Sequence, residues 1–518
     1  MRRNRRLPLS LLAMAVILLL TGRSHAAPPS IPLTHYLDYA RSSADWTWDH
    51  HDELIAGWRS GFDPDSVFGY RPPGRLLEMA VIYAWLYEKE GRPLHADRAR
   101  RVLLDYGDYR EAYPEYAARR RSDYEEGVPA LPDFFTVMRY VRAFDTLNRL
   151  GALSPEEVER IEQLIAHSMD YLLRTAEWGT MNRTMLRAES LAWAVRALPE
   201  HPRGEVWDMQ RKALGDDNWG NWEIEDATIY HGVWLYSLLG YADCRGEMEA
   251  LFRTPEMYYY AQYFLNLMCP AGVVPDFGDA NWLSNWMHYM VFFHASAAQY
   301  GDGRMKWAAD TIASKFVNFD RPENVGLGYF LLDCYRWGSD EVGPQVPVGL
   351  SREVMEDVQG KKIVYRDGWE ADSTYMLLNY RDEGDGGLNF RDYLRDTIPV
   401  EEEKMTHGHA DENSIVLLMA GESILLHDGG YRDYMPSGPF GAYRQDYFHN
   451  RLCVRPEKIW MGQEQGQHRY SVRDAISGQP VLQFLRNAGS YRPVRTRKVD
   501  FISLPDFDYS RTRLIDDT

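Results

Sequence analysis

The hydrophobic period of this chain changes once along its length, and that change bounds what it can fold into. From residue 32 to about residue 337, apolar side chains recur at three- and four-residue steps, the spacing of helices with one buried face. Segments 75–90 (RLLEMAVIYAWLYEKE), 95–109, 133–149, 155–175, 184–198, 227–241, 255–268 and 285–300 all carry it. Ser154-Pro155-Glu156-Glu157 has the chemistry of a helix start, and Gly91, Gly151 and Gly301 fall where helices should stop. Residues 338–349 (GSDEVGPQVPVG) read as linker, with the boundary region spanning 341–362. After Lys361 the apolar residues alternate in short runs at 363–365, 373–380, 413–420, 423–427, 452–454 and 459–460. The expected fold is multidomain α+β. Helical hairpins over 27–340 form an (α/α) toroid around a cleft, and an antiparallel β-sandwich-like domain follows over 363–518. The run from Tyr509 to Asp516 reads as the start of a further strand, so the sheet domain is expected to be incomplete.

Ahead of the helices, Arg2, Arg3, Arg5 and Arg6 precede an apolar core at 7–20, and Ser24-His25-Ala26 is a small-x-small cleavage site. The core is short for a membrane span, and nothing else in the sequence approaches one. The chain is therefore expected to be exported, periplasmic or secreted, with residues 1–26 removed. That removal deletes five arginines and no acid, taking the formal charge of −18 to −23 (−18 − 5). So acidic a surface argues against nucleic acid as a partner. It leaves room for an anionic polysaccharide, because a cleft can be locally basic. The four cysteines, Cys244, Cys269, Cys334 and Cys453, lack metal-type spacing; they allow at most two disulfides, or buried free thiols.

Imidazole and carboxylate are concentrated at 406–454, which holds His407, His409, His427 and His449 among Asp411, Asp428 and Asp433. Residues 413–420 read as a strand, Gly421-Glu422 as a tight turn and 423–427 as the return strand. A hairpin returns its ends to one edge, so His409 and Asp428, nineteen positions apart, can meet. His449 arrives from the next segment, and two imidazoles with one carboxylate suit zinc. Such a zinc could be catalytic or structural; ordinary surface and core histidines are the plainer alternative.

This segment resembles the heparinase II/III-like family of polysaccharide lyases, which includes heparinases and related alginate lyases. The matching features are H-G-H-A-D at His407–Asp411, the apolar hairpin, Asp428-Gly429, and H-N-x-L-x-V at His449–Val454. Arg366-Asp367-Gly368-Trp369 is similar to the R-x-G-W that opens the β domain in that family. The likeness is strong over about 360–455 and looser before it. It implies that His409, Asp428 and His449 hold one zinc ion that braces the fold near the cleft, and that His407 faces substrate. It also implies a uronate-containing polymer such as alginate or a glycosaminoglycan as substrate.

Elimination at a uronic acid removes the C5 proton and protonates the departing O4, and the sugar carboxylate must be neutralised first. The family places an Asn, often followed by His, in a polar loop that opens a helix. Asn182 matches, in the run 179–184, while Arg183 stands where His would be expected: a good neutraliser and a poor base. A plain N-cap is the bland reading of Asn182. Tyr230 lies where the family carries its catalytic tyrosine, although 34 tyrosines make any single choice heavy with packing alternatives, Tyr236 first among them. His231 is expected to face away from the site. Pro275-Asp276-Phe277-Gly278-Asp279 reads as a helix-capping turn that could line the cleft. Of the loop residues Arg432, Tyr434, Arg444 and Tyr447, Tyr434 and Arg444 are the candidates for sugar binding.

Two other classes compete. A glycoside hydrolase on the same scaffold would need a carboxylate pair, with Glu225 and Asp226 or Asp276 and Asp279 available. A non-catalytic carbohydrate-binding protein stabilised by zinc would bind sugar without turnover. No G-x-S-x-G, P-loop or H-E-x-x-H arrangement supports a serine hydrolase, nucleotide enzyme or zincin.

Overall fold

The computed structural model of the 518-residue chain describes residues 30–60, 74–111, 136–174, 181–222, 227–280, 285–349, 360–380, 411, 413–428, 449–452, 495–504 and 507–515. Among these residues the chain forms fourteen helices followed by six strands. The first helices are α1 (Leu33–Asp49), α2 (His51–Ser60), α3 (Gly74–Glu90), α4 (Pro93–Glu111) and α5 (Val137–Arg149). Next come α6 (Pro155–Arg174), α7 (Asn182–Ala197), α8 (Gly204–Asn218), α9 (Thr228–Arg245) and α10 (Met248–Phe252). The set closes with α11 (Pro255–Leu267), α12 (Trp286–Tyr300), α13 (Gly303–Phe316) and α14 (Val325–Trp337). Each segment expected to be helical is one, with ends moved by four residues or fewer.

Local chemistry explains the ends. Ser154 and Glu157 exchange bonds as a capping box: Ser154 N donates to the Glu157 carboxylate (2.9 Å) and Glu157 N to Ser154 Oγ (3.3 Å). Thr254, Asp302 and Asn324 cap α11, α13 and α14 with their side chains. Gly246 and Gly301 end α9 and α12 with φ of 71° and 63°, a backbone state that costs glycine nothing.

The helices pack in a cycle. α3 lies on α5, α5 on α7, α7 on α9, α9 on α12, α12 on α14, and α14 returns to α3. Helices α1, α4, α8 and α13 pack against α14, α3, α7 and α12 respectively. Members of the cycle are buried on most faces, and α12 (WMHYMVFFHASAAQY) is apolar nearly all round. No helix among the described residues is long and apolar enough to cross a membrane. Cys244, Cys269 and Cys334 are buried free thiols.

Charges buried in the helical core are paired. The Arg142 guanidinium donates to both Asp333 oxygens (2.6 and 3.2 Å), Arg336 adds a bond to Oδ1 (2.7 Å), and Tyr236 OH donates to Oδ2 (2.7 Å). Burial alone would push the Asp333 carboxyl up; Arg142 and Arg336 outweigh it and hold it down at about 2.

The sheet part begins at β1 (Lys362–Arg366), which pairs antiparallel with β2 (Tyr375–Asn379). β3 (Ser414–Ala420) follows, then β4 (Ser423–His427), in the order β1-β2-β3-β4. Gly421 and Glu422 turn the β3–β4 hairpin with φ of 54° and 66°, both positive as a two-residue turn of primed type requires. β5 (Arg495–Leu504) and β6 (Phe507–Ile515) form a separate two-stranded sheet, so the strand expected near Tyr509 is present. Leu452, expected to begin a strand, has no regular structure, and residues 453–460 lie outside the described residues.

The R-D-G-W segment docks the sheet on the helices. The Arg366 guanidinium sits 3.7 Å from the Trp369 ring centre and donates to the Asn266 carbonyl at the end of α11. Trp369 meets Trp307 of α13 edge-on, and Tyr375 OH donates to Leu267 O (2.8 Å). Replacing Asp333 by Asn should cost about 3–5 kcal/mol of stability, the scale for stranding a buried partner charge. Thermal and urea unfolding measure it; a loss under about 1 kcal/mol would refute the pairing.

Candidate active site

Two helices bring the candidate residues of the helical part to one end of the molecule. Thr184 of α7 receives a bond from Asn218 Nδ2 (3.4 Å), and Asn218 Oδ1 accepts from Trp234 Nε1 of α9 (2.6 Å). Further along, Ser237 Oγ donates to Glu189 (2.7 Å), and at the far end Arg196 donates to Cys244 O (3.0 Å). The contacts advance in the same direction on both helices, so α7 and α9 run parallel. Their first turns, which carry Asn182 and Tyr230, therefore lie at the same end. Both amino termini also point their partial positive charge that way.

Asn182 is the first helical residue, not the cap. Met181 holds the cap position without a side-chain bond, and Asn182 is 1% exposed. Arg183 and Tyr230 are half-buried. His231 packs among Trp234, Tyr260 and Phe264, with ring centres 4.9–5.3 Å away, as a core residue. Tyr236 is tied to Asp333 and packed against Phe330, so of the two tyrosines Tyr230 is the one outside that ion network.

The segment 275–277 clasps the start of α9. Thr228 N donates to Phe277 O (3.0 Å), Thr228 Oγ1 to Pro275 O (3.0 Å), and Phe277 N returns a bond to Thr228 Oγ1 (2.9 Å). Tyr289 OH donates to Thr228 O (2.8 Å). The capping role expected of this turn is thus correct. The same turn reaches the sheet: Lys362 Nζ lies 4.5 Å from the Phe277 ring centre, and Asp276 feels the charge of Asp428.

On the sheet side, β4 ends at His427 and Asp428 continues the pairing, its N–H donating to Val416 O (2.9 Å). The 449–450 segment then takes the place beside β3: Ile415 N donates to Asn450 O, and Asn450 Nδ2 donates to Ile415 O and His427 O. His449 is thereby set against Asp428, Nδ1 lying 2.9 and 3.0 Å from the two carboxylate oxygens. Burial would lower the His449 pKa, but the charge and hydrogen bond of Asp428, with Asp411 behind it, raise it. Asp411 accepts from Asn379 Nδ2 (2.9 Å), and Asn379 Oδ1 lies 3.2 Å from Lys362 Nζ. Burial pushes the Lys362 ammonium down to about 7 against the pull of Asp411.

The structure thus groups Asn182 and Tyr230 on one end of the helical pair, and sets Asp428, just past β4, beside His449. His407, His409, Tyr434 and Arg444 lie outside the described residues, as do Glu225 and Asp226. The closeness of Asp276 to the sheet was not foreseen; its only trace in sequence is an acid in an apolar turn. Among the described residues no three His, Cys, Asp or Glu side chains form a metal-holding group.

No family model matches the chain, and no curated protein does. Solved structures similar to it include the heparan sulfate lyase HepC from Pedobacter heparinus, at 15% identity and a TM-score of 0.45, over 85% of this chain and 59% of that one. A heparinase III gene product is similar at 14% identity and a TM-score of 0.43, over 97% of this chain and 72% of that one. The chain thus spans 59% of the length of the lyase HepC.

Glu189 stitches α7 to α9, and burial pushes its carboxyl from 4.5 up to about 8 against the opposing pull of Ser237 and Arg142. Between those values the folded chain holds a proton that the unfolded chain releases. The stabilisation is complete below pH 4.5 and drains away as pH rises through 8. Glu189→Gln should flatten the melting-point profile between pH 5 and 8.5; an unchanged slope would remove Glu189 as its source.

Proposed function

We propose that the chain is a polysaccharide lyase that cleaves a uronate-containing polymer by β-elimination. On this reading the cycle of helices is an (α/α) toroid, with the sheet part a β-sandwich-like domain at its mouth. The observation that carries the reading is the parallel pair of α7 and α9, with Asn182 and Tyr230 on first turns at one end. The charge of Asp428, beside His449, acts on Asp276 in the turn that clasps α9. Together with the H-G-H-A-D and H-N-x-L-x-V motifs, this is the set of parts an elimination needs.

The chemistry runs as follows. Asn182, Arg183 and His407 neutralise the uronate carboxylate, and the helix amino termini beside them favour the same negative charge. With that charge quieted, Tyr230 or His407 takes the proton from C5. The electron pair forms the C4–C5 double bond as the C4–O4 bond breaks, and Tyr230 supplies the proton to O4. No oxidant or reductant is required. Tyr434 and Arg444 hold the neighbouring sugars.

Asp428, His449 and His409 would hold one zinc ion. Asp428 and His449 fit it: both are under 10% exposed, and their facing donor atoms are 2.9 Å apart. That approaches the roughly 3.4 Å between two ligand atoms of a tetrahedral zinc. A zinc there would supply a fixed positive charge that braces the hairpin edge against the 275–277 turn.

A hydrolase on the same scaffold would instead draw on a carboxylate pair, and the products separate the two readings. Incubation with a panel of alginate, glucuronan and glycosaminoglycans tests the proposal. An ultraviolet-absorbing unsaturated uronate is the expected product, and saturated ends would indicate hydrolysis. Tyr230→Phe should lower turnover by at least about 10²-fold with an unchanged melting point. A fully active variant would take Tyr230 out of the scheme. Replacing His409 by Ala should release the zinc and lower the melting point; undiminished metal content would refute that ligand set.

A further inference from the structure

Lys362 is a buried cation that the elimination scheme leaves unused. The residue is 0% exposed, and burial disfavours its charged form. The sheet explains what surrounds it. Lys362 and Asn379 stand directly opposite each other on β1 and β2, so their side chains share one face. By alternation that face carries residues 362, 364 and 366 of β1 with 375, 377 and 379 of β2, and all six are buried.

This face meets the helical part at two places. At one end of β1, Arg366 donates to Asn266 O and Tyr375 OH to Leu267 O, both at the end of α11. At the other end, Lys362 Nζ donates to Gly360 O (3.1 Å) and Asn379 Oδ1 (3.2 Å) and lies 4.5 Å from the Phe277 ring centre. Asn379 Nδ2 donates to Asp411 (2.9 Å), the acid that closes the H-G-H-A-D motif, which leaves Oδ1 facing the ammonium. Phe277 is 1% exposed, and an ammonium over a ring is held most strongly where both are out of water. The ring is in turn tied to α9 through its own backbone: Phe277 N donates to Thr228 Oγ1 (2.9 Å), and Thr228 N to Phe277 O (3.0 Å). Thr228 opens α9, with Tyr230 two positions on. A shift of the ring is therefore passed to that turn by two hydrogen bonds. An apolar side chain of similar length would fill the space at Lys362 and lose the pull on the ring.

We propose that Lys362 is a positioning residue for the elimination: by holding the Phe277 ring it sets the 275–277 turn against Thr228, and with it the first turn of α9 that carries Tyr230. The part played by Tyr230 rests on the lyase reading given above; the clasp itself does not. Lys362 acts from the sheet, so the strand that docks the β part also aligns a residue of the helical part.

The test compares the full wild-type chain with Lys362→Met, Phe277→Leu and the double variant. Lys362→Met should melt at the same temperature or higher, because a buried cation gives way to an apolar chain of similar length. Its kcat on the uronate polymer that wild type cleaves should fall by about 10- to 100-fold with KM unchanged, the signature of misalignment rather than lost binding. Amide hydrogen exchange at Thr228 and Phe277 should quicken, since those two N–H groups make the bonds that the clasp holds. The double variant should be no slower than the slower single one, because both substitutions remove one contact. Wild-type kcat in Lys362→Met, or unchanged exchange at the two amides, would overturn the proposal, and additive losses would overturn the route through Phe277. A wild-type chain that cleaves no polymer, with exchange still faster in the variant, would overturn the lyase reading and leave the clasp standing. Should Lys362→Met show no cooperative melting, Lys362→Gln is measured in the same way, with the same outcomes deciding.

Discussion

The mutual grip between Thr228 and the 275–277 turn is the contact on which the candidate site depends. Three hydrogen bonds and a fourth from Tyr289 fix the first turn of α9, and with it the backbone of Tyr230. The same turn offers Phe277 to Lys362 and Asp276 to the field of Asp428. A helix start, a loop and a sheet edge are therefore held by one short segment. Loosening it would move the tyrosine and the hairpin edge relative to each other without touching either.

Behind this front lies a core whose polar groups are arranged for rigidity. Asp333 collects Arg142, Arg336 and Tyr236 from three helices, and Arg336 reaches on to Asp243 (2.6 Å). Such clusters add little net stability compared with apolar packing, but they specify one arrangement, since any slip strands a charge. The sheet is fastened by different means. Arg366, with its guanidinium over the Trp369 ring, spans from β1 to the end of α11, so the motif that opens the sheet is also the dock.

Much of this was legible in the sequence where the cause is local. Helix existence followed from apolar spacing, and ends followed from Ser154, Gly91, Gly151 and Gly301, because caps act within a turn. The β3–β4 hairpin was also readable, since a two-residue turn fixes register, and His449 was expected beside Asp428 from the segment that follows. What escaped was set by distance along the chain. Arg142 and Asp333 are 191 positions apart, and nothing in either neighbourhood names the other. Asp276 read as part of a capping turn, which it is; its exposure to Asp428 appears only when the sheet is laid against the helices. Asn182 read equally well as a cap, and the backbone decided otherwise by placing Met181 there.

Gly240 of α9 lies against the Glu189 side chain of α7, where any Cβ would collide with its carboxyl group. That glycine lies ten residues beyond Tyr230, about 15 Å along the axis at 1.5 Å per residue. The pair therefore behaves as a pivoted arm: prying it open by some 5° near the fulcrum would swing the tip by about 1.3 Å, a displacement on the scale that spoils reactive alignment. A bulkier residue at position 240, deep inside the bundle, would thus be felt at the first turn of α9, far from the substitution itself.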